Sequence, residues 1–187
     1  MPISRTENFK NKQENKYSME LKEALLKRRS VRKFTDEKVS DEQIDELLHA
    51  AMSGPSACNK TPWEFYVIRN SEKLSAVKKS SLFARFNSQL VIVVAGNTSR
   101  ALPAPITEYW IQDCSAAVEN ILLRATDLGL GAVWCGAYPQ KRVEDNLGGV
   151  LELPADHIPL AIVHVGYPAE IPEPRDQYDP ERVHFVD

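Results

Sequence analysis

The sequence predicts an α+β fold or a three-layer α/β/α sandwich, and two patterns point there. Stretches with helical spacing alternate irregularly with short apolar runs, so the chain does not read as repeated strand-helix-strand units. One run, SQLVIVVAG (88–96), is apolar almost throughout, as a strand buried on both faces must be. With 187 residues, 43% of them hydrophobic, the chain fits one well-filled core better than two.

The elements follow in chain order. Residues 1–18 are polar and aperiodic and are expected to form a mobile arm; residues 19–187 then form the single domain. From Met19, MELKEALLKRR places Leu21, Ala24 and Leu25 with helical spacing, and its cations gather at the C-terminal end, where the helix dipole favours them. A second helix is announced by Ser40 as N-cap, Gln43 as its capping-box partner, and Val39 with Ile44 as a hydrophobic staple. Its apolar stripe is Ile44, Leu47, Leu48 and Ala51, and Gly54-Pro55 ends it. A polar loop, SACNKTPW, leads to a strand in EFYVIRN, and the buried strand at 88–96 comes next. A long helix is expected from Glu108 to Leu128, apolar on so much of its surface that the core or a second subunit must nearly surround it, with Gly129 as its stop. GAVWCGAYP reads as strand then loop, QKRVEDNLG as a short helix and PLAIVHVGYP as a strand. The proline-rich end, 169–187, is expected to run extended over a surface.

Charge narrows the function. With 23 Lys+Arg against 26 Asp+Glu there is no chain-wide basic field for nucleic acid or anionic lipid. Three cysteines, an odd number without a CxxC pair, suggest neither a disulfide framework nor a zinc site and fit a reducing, cytoplasmic setting. There is no apolar stretch of a signal peptide and none of the roughly 20 residues that a membrane span needs. LGLGAVWCG follows a helix and lacks the spacing of a phosphate loop, so a dinucleotide-binding fold is a weak reading. The four histidines are scattered; His164, alternating within an apolar strand, reads as a satisfied core histidine.

One local feature stands out. LLKRRSVRKF packs Lys27, Arg28, Arg29, Arg32 and Lys33 into seven residues. Forked, permanently charged guanidinium groups with a hydroxyl from Ser30 suit a phosphate; the same run is equally a solvated helix end neutralised by Asp36, Glu37 and Glu42. Composition alone leaves both open.

Longer stretches carry a resemblance. RRSVRKFTDEKVSDEQIDELLHAAMSGPSACNKTPWEFYVI, then LGLGAVWCGAY, then AIVHVGYPAEIPEPR resemble, in order, the N-terminal, flavin-contacting and closing segments of the FMN-dependent nitroreductase family. The resemblance spans roughly residues 19–175. It implies an α/β/α sandwich on a mixed, mainly antiparallel sheet, an intertwined homodimer with FMN at the subunit interface, and a flavoenzyme using NADH or NADPH to reduce a small-molecule acceptor such as a nitroaromatic or quinone. It further implies that Arg28, Arg29, Ser30 and Arg32 hold the FMN phosphate and one ring edge, with Arg175 closing from the tail. Pro55, Ser56, Ala57 and Asn59 would lie against the partner's flavin, and Cys135 and Gly136 would present main-chain groups near flavin N5 and O4. Thr61 stands where many members have Gln, so it is not assigned a contact; Trp63 reads as core and Lys27 and Lys33 as solvated. Two other readings are a flavin-binding dimer with little turnover, serving as sensor or scavenger, and a thiol enzyme centred on Cys58, which has Lys60 nearby.

Overall fold

The computed structural model describes residues 19–186, so the arm expected over 1–18 lies outside the described residues. Four strands, β1 (Trp63–Ile68), β2 (Leu90–Asn97), β3 (Gly131–Gly136) and β4 (His157–Gly166), form one sheet in the order β1-β2-β4-β3. All three pairings are antiparallel, and a parallel element is confined to an isolated bridge between Ser30 and Ala132.

Side-chain alternation on the inner strands makes the three layers. Leu90, Ile92 and Val94 of β2 pack towards α2 (Asp41–Met52) and the long α4 (Tyr109–Asp127). Val91 and Val93, one residue out of phase, pack towards α3 (Ser71–Lys79) and α5 (Lys141–Leu151). Every residue of β2 is buried, which explains the unbroken apolar run.

The terminators act as the sequence predicts. Ser40 and Gln43 form the reciprocal capping box, and Val39 and Ile44 are both buried beside it. Gly129 ends α4 at φ +72, a conformation a side chain resists. Trp63 is core, and Lys27 and Lys33 are exposed in pairs with Glu23 and Glu170.

Three differences emerge. The short α1 (Leu21–Lys27) buries only Ala24 and leaves Leu21 and Leu25 exposed, so its apolar stripe is not covered by the described residues. Helix α3 was not anticipated, although Asn70 caps it by accepting from the Glu72 and Lys73 amides and Leu74 and Val77 form its buried stripe. His164 is fully buried but only half satisfied: Nδ1 meets Ser88 Oγ at 2.8 Å and Nε2 has no partner among the described residues.

Candidate functional site

The basic run is folded against the edge of the sheet. After α1 ends, Val31 N–H donates to Ala132 O at 3.0 Å, Thr35 N–H donates to Tyr167 O at 2.9 Å, and Asn87 brackets Phe34 through both its N–H and its carbonyl. The close approach requires a glycine at 131: a Cβ there would stand 2.7 Å from Val31 Cγ1. The tail then returns, and Arg175 N–H donates to Leu26 O at 3.2 Å.

These connections bring Arg28, Arg29, Ser30, Arg32 and Arg175 together around one cavity of about 360 Å³, completed by Leu25 and Gln177. No carboxylate among the described residues lines it. Arg28 Nε lies 3.4 Å from Glu119 on α4, and Arg29 donates to the Glu173 carbonyl. Arg32 reaches only the Ser30 carbonyl, at 3.4 Å, and the Arg175 guanidinium has no hydrogen-bonding partner among the described residues. Four guanidinium groups around one cavity repel one another unless an anion sits among them, and their forked donors fit a phosphate. Asp36, Glu37 and Glu42 form no ion pair with these arginines among the described residues, so the nearby carboxylates do not neutralise the run. Gln177 is the wall residue that sequence patterning misses, because the tail has no periodicity to mark it.

The end of β3 adjoins this cavity electrostatically. Burial pushes the Cys135 thiol up to about 11 while the Arg32 charge pulls the other way. The thiol is spent structurally, with Sγ 3.1 Å from Phe83 O, so any role at this position falls to the main chain. Gly136 is exposed, and a Cβ on it would meet only Tyr138 O at 3.8 Å, which leaves the strand end open to a flat ligand.

The loop after α2 stands apart: Pro55, Ser56, Ala57 and Asn59 do not line the arginine cavity but pack on α4. Cys58, Asn59 and Thr61 all have positive φ (48, 54 and 46), a conformation costing on the order of 1–3 kcal/mol each. Its anchors are specific. Ala57 N–H donates to the buried Asp113 carboxylate at 2.8 Å, Thr61 N–H donates to Ser56 Oγ at 2.9 Å, and Arg100 reaches Thr61 Oγ1 at 3.2 Å. Burial holds the Asp113 carboxyl above the usual carboxylate range, with the Ala57 amide opposing. Ser56 therefore serves its own loop, whereas the exposed Asn59 side chain makes no hydrogen bond among the described residues. Asp113 and Arg100 anchor this loop, and pattern reading misses both; only the aspartate on an otherwise apolar helix face hints at one.

The nitroreductase family model matches residues 25–84 and 78–167, most of the chain. A relative in Methanothermobacter thermautotrophicus, named "Putative NADH dehydrogenase/NAD(P)H nitroreductase", is 41% identical over 169 residues, covering 89% of this chain and 87% of its own. This chain belongs to the nitroreductase family. The nitroreductase fold is equally clear among solved structures: a Parabacteroides distasonis protein of the same name matches with TM-score 0.84 and 36% identity, covering 89% of this chain and 98% of that one. A Clostridium difficile R20291 protein, named an FMN-dependent nitroreductase, matches with TM-score 0.80 and 29% identity, covering 88% and 98%. Among the described residues of this family member no helix is long and apolar enough to cross a membrane, and no three His, Cys, Asp or Glu side chains group as metal ligands.

Proposed function

We propose that the chain is an FMN-dependent oxidoreductase that takes reducing equivalents from NAD(P)H and passes them to a small acceptor such as a nitroaromatic or quinone. The observation that carries this reading is the cavity of four arginines, one of which, Arg32, acts electrostatically on Cys135 at the end of β3. Its donors suit the FMN phosphate, and the space over Gly136 suits a planar ring. FMN, when bound, supplies the redox chemistry by accepting hydride from NAD(P)H at N5 and giving it up to the acceptor.

The chain's own part is positional and electrostatic. Arg28, Arg29, Arg32 and Arg175 hold the phosphate, and Arg32, lying towards Cys135, is placed to offset negative charge on the ring. The Cys135 and Gly136 main chain shapes one side of a slot that donor and acceptor visit in turn, which predicts ping-pong kinetics. The remote loop with the unpaired Asn59 and the exposed leucines of α1 support a homodimer in which Pro55–Asn59 faces the partner's flavin. A monomer that holds FMN tightly would refute that arrangement.

The deciding experiment is an anaerobic absorbance spectrum of FMN-loaded protein before and after NADH or NADPH. A flavin band that bleaches supports the reductase. A stable band would favour the sensor or scavenger reading, and no band after FMN addition would remove both. Cys58 is exposed and no imidazole is hydrogen-bonded to it, so a Cys58→Ala variant is expected to keep the full rate.

A further inference from the structure

Between α3 and the segment 85–89 that leads into β2 lies a second open cleft, of about 600 Å³. Lys78, Lys79 and Arg85 line it, no carboxylate does, and none of the three forms an ion pair among the described residues. Lys78 is the most constrained. Its half-buried ammonium donates to Ser88 O at 2.6 Å and keeps two protons for another acceptor.

A buried pair lies behind the wall. Ser88 Oγ and His164 Nδ1 are 2.8 Å apart, and His164 Nε2 has no partner among the described residues. Burial pushes the His164 pKa down to about 3, so the imidazole is neutral and has one N–H. A proton on Nε2 would be an orphaned buried donor, which folded proteins tolerate less than an unfilled acceptor. The proton therefore sits on Nδ1 and donates to Ser88 Oγ. With only 1% of Ser88 exposed, this pair braces the wall from behind and leaves the charged donors of the cleft to Lys78 and Arg85. Phe86, edge-on to the imidazole with centroids 5.2 Å apart, holds the ring in place.

From these groups we propose a second oxyanion site, separate from the four-arginine cavity, that holds a phosphate monoester on the ammonium of Lys78 and the guanidinium of Arg85. Arg85 follows Phe83 by two residues, at most about 7 Å of chain, and the Phe83 carbonyl is tied to Cys135 at the end of β3. Resting on the reductase reading, the monoester is the 2′-phosphate that distinguishes NADPH from NADH; free phosphate is the other source of the same chemistry.

The test is calorimetric titration of adenosine 2′,5′-bisphosphate, 5′-AMP and inorganic phosphate into FMN-loaded wild type, Lys78→Gln and Arg85→Gln, with KM for NADPH and NADH measured alongside. The bisphosphate is expected to outbind 5′-AMP and to weaken about tenfold or more in each variant, while FMN retention and the NADH KM hold and the NADPH KM rises. Loss of inorganic phosphate binding in the variants with no change in NADPH KM would support the oxyanion site with free phosphate as its occupant. Unchanged affinities for all three probes in Arg85→Gln, an exposed side chain with no partner to lose, would overturn the site. If the chain takes up no FMN, an Arg32→Ala background silences the first cavity and the same titrations read the second, so the two readings fail separately.

Discussion

Arg32→Ala tests the arginine cavity most directly, because Arg32 has no carboxylate partner among the described residues and its removal strands none. Each charge-assisted hydrogen bond to a phosphate contributes about 1.5–3 kcal/mol, so FMN affinity should fall roughly 10- to 150-fold. Arg28→Ala should cost less, since Glu119, 3.4 Å from Arg28 Nε, already offsets part of that charge. The same pair predicts a gain: Glu119→Gln releases Arg28 from an exposed ion pair worth about 0.2–1 kcal/mol, so FMN should bind about 1.4- to 5-fold more tightly. The assay is quenching of flavin fluorescence on titration, at low and high salt, with the Glu119 effect shrinking as salt screens it. Equal FMN affinity in wild type and Arg32→Ala would refute the phosphate assignment, and weaker binding in Glu119→Gln would refute the charge argument.

Gly131→Ala should destabilise the fold by about 1–3 kcal/mol and loosen FMN together, because the new Cβ displaces Val31 and with it the arginine segment; chemical unfolding and flavin retention read the two effects. Asp113 has a folded-state pKa raised by burial, so its contribution to stability is complete below about 3.9 and is lost as pH rises through the raised value. Asp113→Asn should flatten that loss in urea-unfolding midpoints measured across the window, and an unchanged pH slope would contradict it. Of the three thiols only Cys58 should react with a maleimide in the native protein, since Cys114 and Cys135 are buried with thiols pushed up to about 12 and about 11. Three thiols labelling at one rate would contradict the packing.

Local chemistry made much of this chain legible in its sequence. The Ser40–Gln43 capping box, the Gly129 stop and the unbroken apolar β2 each depend on interactions within one segment or on burial on both faces, and both leave a mark in linear order. The arginine run was visible as a cluster of charge, but its neutralisation by nearby carboxylates was equally readable. Helix α3 was missed because its cap is a single asparagine and its stripe only Leu74 and Val77, too weak a period to stand out between two strands.

What the sequence by itself determined is the menu of elements, the layered class and, through the ordered motifs, the family. Tertiary structure alone decided what those elements bring together: Arg175, 143 or more residues from Arg28, Arg29 and Arg32, closes on them only because the tail crosses the end of α1, and Asp113 meets Ala57 only because α4 lies beneath the loop. Charge, capping and periodicity are written residue by residue, whereas convergence depends on how whole segments pack, and a pair far apart in the chain leaves no local pattern to read.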